Sequence, residues 1–253
     1  MTKFDRNLRV IASILLQNKR LVKGKNFSNY LDAGDPVKTC IAHDSQFCDE
    51  ISIIDLDAYK KNIEPDLETL KLITKETSSP ILFGGNINNF KVVEKLIRYG
   101  ADKILINSNI FNKNLTKEII NTFGKQTLVG GIDLTFLDGK YFVYKKGELL
   151  SVNYLNYIKQ VVEQEVGEIK ITFVNLEGTR SGLDIKTAKE IVDLFDLPVI
   201  IEGGVKNLID LEKGFQSGIN AIAIGALFVF SDNNIFKVKQ FLDNRNLKIR
   251  LRN

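Results

Sequence analysis

The sequence predicts an α/β fold: a (β/α)8 (TIM) barrel with a two-fold half-barrel repeat, one domain spanning residues 1–253. Three observations carry this expectation. Eight short apolar runs are spaced along the chain, helical patterns fill the gaps between them, and a stretch near position 80 recurs near position 198. The length is one at which α/β barrels close as a single domain, and an apolar share of 44% fills a core.

The runs begin near Leu8 (LRVIASILL), Glu50 (EISIIDL), Pro80 (PILFGG), Lys103 (KILIN), Thr127 (TLVGGID), Glu168 (EIKITFV), Pro198 (PVIIEGG) and Ala221 (AIAIG). Each is too short for a helix and apolar on both faces, as a parallel strand covered on both sides should be. The first run hands over to a polar turn and four cations, Lys19, Arg20, Lys23 and Lys25, as a strand does when it delivers the chain to a functional loop. Between the runs, Val93, Leu96 and Ile97 line one helical face in NNFKVVEKLIRYG, and Ala188, Ile191, Val192 and Phe195 do so in DIKTAKEIVDLFD. A doubly wound open sheet is the alternative, but it ordinarily uses fewer strands. Before the second strand, Cys40 and Cys48 share a predicted helix face with Val37, Ile41 and Phe47, and read as small buried hydrophobes. His43, the only histidine, falls toward the polar side and reads as a surface residue. No metal site and no cofactor are expected.

SPILFGGNINNFKVVEKLIRYGADKILIN, from Ser79, aligns with LPVIIEGGVKNLIDLEKGFQSGINAIAIG, from Leu197. Pro80 and Pro198 lie 118 positions apart, and the pairs Gly84–Gly85 and Gly203–Gly204 one further. A chain made of two such halves should own two related sites on its C-terminal rim.

Glycine pairs at strand ends let backbone N–H groups approach an anion without interference from Cβ. The loops after the last two strands are the common phosphate site of such barrels. Here they supply Gly203, Gly204, Gly225 and Ala226, joined by the sixth-strand loop with Glu177, Gly178 and Thr179. The other half offers Gly84, Gly85, Asn107 and Ser108. The competing reading is that these glycines only shape tight turns. Asp133 closes the fifth strand with its carboxylate aimed at the mouth, placed to take or give a proton. Asp55 and Asp57 end the second strand similarly, and a structural cap is the alternative for each of the three.

The excess of Lys and Arg over Asp and Glu is only +4 and is spread along the chain, which speaks for solubility and against a nucleic-acid surface. No run approaches a membrane span of about 18 apolar residues. The start MTKFDRN is too polar for a signal peptide, so cytoplasm is the expected location. At the opposite end of the barrel, Arg9, Glu50, Lys103 and Glu168 sit at the starts of the first, second, fourth and sixth strands. Two cations and two anions there could pair into a ring; solvated strand ends are the plainer reading.

The stretches RLVKGKNF, GDPV, ISIIDLDA, GGNI, GADKILIN, FGKQTLVGGID, EGTRSG, IEGGV and AIAIGALF, in this order, resemble the cyclase subunit of imidazole glycerol phosphate synthase almost end to end. The resemblance implies that Lys23 and the rim loops hold a substrate with two phosphates. It implies that Arg9, Glu50, Lys103 and Glu168 gate ammonia arriving from a docked glutaminase subunit, with Asp102 and Gln126 at that interface. It also implies catalysis by two aspartates, one ending strand five and one ending strand one.

Asp133 matches the first. At the second, ungapped alignment from Arg9 to Lys23 puts Leu15, which can neither shuttle a proton nor stabilise developing charge. Asn175 and Glu177 also stand where the family has aspartates, Asn86 where it has glycine, and Ala226 where it has serine. An offshoot of the family with a similar apolar strand-one end, SILLQNKRLVKG, is associated with surface polysaccharides. There it is thought to serve a glutaminase and a sugar amidotransferase, and its rim could hold a nucleotide-linked sugar. The expected role is therefore ammonia supply for sugar amidation. The alternatives are a genuine cyclase–lyase of histidine synthesis, in which Asp55, Asp57 or Glu177 would stand in for the lost aspartate, and a partnerless phosphosugar-binding regulatory barrel. The sister phosphosugar isomerases would also want a strand-one carboxylate.

Overall fold

A computed structural model describes residues 8–251, so the MTKFDRN start lies outside the described residues. Twelve strands form one sheet: β1 (Arg9–Gln17), β2 (Arg20–Lys25), β3 (Ser28–Gly34), β4 (Glu50–Asp55), β5 (Ile81–Gly84), β6 (Lys103–Ile106), β7 (Leu128–Leu137), β8 (Lys140–Lys145), β9 (Glu148–Leu150), β10 (Glu168–Phe173), β11 (Val199–Glu202) and β12 (Ala221–Ile224). Eight of them, β1, β4, β5, β6, β7, β10, β11 and β12, pair in parallel in that order, and β12 returns to β1 to close the barrel. They are the eight runs expected from the sequence.

Around them run α1 (Pro36–Asp44), α2 (Leu56–Lys61), α3 (Leu67–Glu76), α4 (Phe90–Arg98), α5 (Lys113–Phe123), α6 (Tyr154–Val162), α7 (Ile185–Leu194), α8 (Leu208–Gln216), α9 (Ala226–Val229) and α10 (Ile235–Asp243). All but α9 start on an Asp or Asn whose carboxylate or amide oxygen accepts a first-turn N–H, from Asp35 at α1 to Asn234 at α10. Such caps satisfy donors that the helix itself cannot pair.

Period-two alternation sorts the strand residues into two cores. Val10, Ala12, Ile14 and Leu16 join the large cluster between barrel and helices. Ile11, Leu82, Val129 and Ile200 form a smaller cluster inside the barrel with Ala221 and Ala223. Those four come from the first, third, fifth and seventh barrel strands, the layering by alternate strands that fills such barrels. Arg9, Ser13 and Leu15 share the inward parity of Ile11. In β12 the inward positions are small, Ala221 and Ala223, with Gly225 directly after.

The structure extends the half-repeat to all four strands of each half without a gap. β4, β5 and β6 match β10, β11 and β12 end for end at the 118-residue offset. Two details of the sequence reading change. Gly85 corresponds to Gly203, with φ of +136° and +111°, and an added Cβ in each would press on a carbonyl of the preceding barrel strand, Asp55 or Phe173. Gly84 therefore corresponds to Glu202, not to Gly203. The predicted functional loop after β1 is instead a hairpin, β2–β3, and a second hairpin, β8–β9, extends β7. Their rings meet at Phe27 and Tyr144, with centroids 6.1 Å apart.

The first helix is shorter than its apolar pattern implied. It ends at Asp44, so Cys48 lies beyond it, and Ile41 is exposed. Both cysteines are buried, and Cys48 donates to Ser79 at 3.2 Å. His43 is half-buried rather than freely exposed. It packs on Phe228 with ring centroids 5.4 Å apart, and burial pushes its imidazole down to about 4. Lys239, fully buried, ties the chain end down by donating to Asp49 at 2.8 Å and to the Arg250 carbonyl at 2.7 Å.

Candidate active site and ammonia gate

The four strand-start charges meet in a ring at the N-terminal end of the barrel. Arg9 reaches Glu50 at 3.2 Å and also bonds Glu168, while Lys103 bonds Glu50 at 2.6 Å and Glu168 at 2.8 Å. Each cation thus bridges both carboxylates, and each carboxylate takes both cations. The carboxylates are almost wholly buried, but the Arg9 and Lys103 side chains keep 23% and 22% of their surface. Burial pushes the Glu50 carboxyl up; at Glu168 burial acts the same way but is outweighed by Arg9 and Lys103, which hold it low. Asp102 and Gln126 sit beside this face. Asp102 accepts the Ile81 N–H at 2.8 Å, and Gln126 donates to the Phe123 carbonyl at 2.9 Å.

At the other end Asp133 points into the lumen. Asn107 donates to it at 2.8 Å. Burial pushes its carboxyl up to about 7; Lys170 opposes this, and Glu202 adds to it. Leu15, its counterpart on β1, is buried with no polar group to offer. Asp55 has a structural role at the strand end. It caps α2 through the Ala58 N–H at 2.9 Å and also accepts the Asp66 N–H at 2.8 Å. Asp57 accepts the Asn18 N–H at 2.6 Å. The capping alternative describes Asp55; Asp57 lies within the first turn of α2 and pairs with Lys61 at 3.2 Å.

The loops after the sixth, seventh and eighth strands converge on Lys23. Its ammonium, expected to face a phosphate, is buried against the Glu177 carboxylate, beside Gly225. Asn26 ties the hairpin to this loop by donating its N–H to the Glu177 carbonyl at 3.0 Å. Gly178, at φ +73°, lets the Gly24 carbonyl come so close that a Cβ would lie 1.9 Å from it. Gly182 donates to the Gly204 carbonyl at 2.8 Å, and Thr179 donates to the Leu176 carbonyl at 2.7 Å. Ala226 opens the four-residue α9. On the opposite half, Gly84 and Gly85 lie beside Ile54 and Asp55, and Asn107 and Ser108 end the fourth strand.

This chain matches the family model described as Histidine biosynthesis protein over residues 9–234. The chain belongs to that family. It is also 30% identical over 246 residues to the imidazole glycerol phosphate synthase subunit HisF of Thermotoga sp. (strain RQ2), covering 96% of this chain and 97% of that protein. The barrel is therefore HisF-like along nearly its whole length.

Two residues of this family member escaped the sequence reading. Lys170 and Glu202 form a buried ion pair in the lumen at 2.5 Å, and Ser13 donates to the same Glu202 carboxylate. Burial pushes Glu202 up, but Lys170, Lys23 and the bond from Ser13 outweigh it and hold the carboxyl low. Strand parity could have found both, since Lys170 lies two residues from the ring's Glu168 and Glu202 two from lumen-facing Ile200.

Proposed function

We propose that this barrel receives ammonia from a glutaminase subunit docked on its N-terminal face and supports glutamine-dependent amidation of a surface-polysaccharide sugar. The observation that carries the reading is the asymmetry between the two ends. The Arg9–Glu50–Lys103–Glu168 ring is complete, while the first barrel strand ends in Leu15. Ammonia delivery needs the first feature; a two-carboxylate cyclisation would need something other than the second.

Exposed apolar side chains on the loops and hairpins of the C-terminal end, among them Leu31, Phe136, Leu149 and Phe230, support docking of a sugar amidotransferase there. The glycine loops at Gly84 and Gly204 would hold a bis-phosphate or nucleotide-linked small molecule. Cytoplasm is the compartment this role requires, and no helix among the described residues is long and apolar enough to cross a membrane.

The test supplies the purified barrel with the bis-phosphate ribonucleotide substrate of the cyclase and a large excess of ammonium salt. The expected result is no turnover, with the glutaminase still activated on binding. Turnover abolished by Asp133→Ala would instead establish the second reading, the cyclase–lyase of histidine biosynthesis. That reading is favoured by one observation, a half-buried Asp133 carboxyl pushed up to about 7 and bonded by Asn107.

Lys103→Ala separates the gate from the chemistry. Glutamine-driven product should fall well below glutamine hydrolysis, while product formed from free ammonium is retained. Equal loss with both nitrogen sources would sink the gate assignment.

A further inference from the structure

The lumen above the ring holds polar residues that neither reading uses. Thr172 on β10 stands level with Asp133 on β7 and with Glu202 on β11. The two carboxylates therefore flank one residue, each a single strand away, and all three face inward around a closed barrel. Lys170 lies one inward position below Thr172, level with Gly131 and Ile200. From there its ammonium rises to Glu202 at 2.5 Å, and Ser13 holds the carboxylate from β1.

We propose that Glu202 is a positioning residue of the reaction centre: together with Lys170 it sets whether Asp133 carries a proton, the part left vacant by Leu15 on the first strand. The proposal holds for either reaction considered above.

Counting charges supports it. Lys23 and Lys170 face Glu177, Glu202 and Asp133, two cations against three carboxyls, all buried except Asp133 at the edge of the mouth. A low-dielectric site favours neutrality, so one carboxyl keeps its proton. Glu202 takes Lys170 and is held low, and Glu177 takes Lys23, although burial still pushes its carboxyl up; Asp133, with no cation bonded to it, is pushed up to about 7. Two carboxyls pushed apart by their surroundings divide into an acid and a base. Other groups face the pair as well. Tyr30, Tyr59 and Tyr157 feel the Asp133 charge from the hairpin and the helices, and Glu177 feels that of Glu202.

The experiment follows the Asp133 carboxyl by carbon-13 NMR of the full chain, its signal identified by loss in Asp133→Asn. Wild type should titrate near 7. Glu202→Gln removes a like charge and frees Lys170, so the midpoint should fall by about one unit. Lys170→Met should raise it by a similar amount. The double variant should lie between wild type and Lys170→Met. An Asp133 midpoint unmoved in Glu202→Gln overturns the proposal, as do shifts of the same sign in both single variants. Should Glu202→Gln fail to fold, the difference between Lys170→Met and the double variant isolates Glu202, and identical midpoints there overturn the proposal equally.

Discussion

The two halves of the barrel superpose at one constant offset, yet they carry different chemistry. Glu50 and Glu168 are counterparts and share the ring. Above them the agreement ends. Ser52, Ile54, Gly84 and Leu15 line the first half, where the second half has Lys170, Thr172, Glu202 and Asp133. Every charge contributed to the lumen by a barrel strand above the ring thus comes from the second half. The comparison separates two requirements. Barrel closure asks only that inward volumes complement one another, and both halves meet it. Charge placement is free to be one-sided, provided each buried charge finds a partner.

Substituting across the halves tests this. The largest effect is expected for Lys170→Ser, which installs the first half's Ser52 and leaves Glu202 buried without its partner. Breaking a buried pair costs about 3–5 kcal/mol, read as a lowered urea midpoint. A loss below about 1 kcal/mol would mean that the pair is better solvated than its burial implies.

Next comes Asp133. Burial pushes its native carboxyl up to about 7, above the about 3.9 of an unfolded chain. Its contribution to stability is full below pH 4 and is lost as pH rises through 7, on the order of 3 kcal/mol between pH 5 and pH 8. Asp133→Asn should remove that slope in urea unfolding at the two pH values. An unchanged slope would place the asymmetry elsewhere.

Ala223→Leu copies Leu105 of the fourth strand into the eighth and should cost about 2 kcal/mol by overpacking. A neutral result would reveal spare volume. Smallest of all, Leu15→Asp restores symmetry with Asp133 and should leave ammonia-dependent amidation unimpaired; a severe loss would give the leucine an active role.

The barrel was legible because parallel strands buried on both faces read as plain apolar runs. The ring was legible too, as four charges at strand starts. The hairpins were not, since RLVKGK and SNYLDAG are polar on the exposed side and follow a strand that already looked complete. Lys170 and Glu202 were missed for a different reason. One charge inside an apolar run reads as a flaw in the strand until period-two parity shows which way it faces. The repeat was read with its glycines one residue out of register, and this hid the correspondence of Glu202 with Gly84. His43 was misplaced because helix periodicity places a residue on a face but does not say what packs against that face. Here Phe228, far along the chain, covers it.

The eighth strand presents Ala221, Ala223 and then Gly225 to the lumen, and the Lys23 ammonium lies against the last of these. A Cβ at Gly225 would lie 2.7 Å from the Lys23 ammonium. A side chain at position 225 would therefore push the flexible Lys23 ammonium aside and disturb its pair with Glu177. The three sites, scattered over some two hundred residues of sequence, thus meet at the mouth of the barrel. A substitution at any one of them is felt first by the Lys23 ammonium that the other two hold.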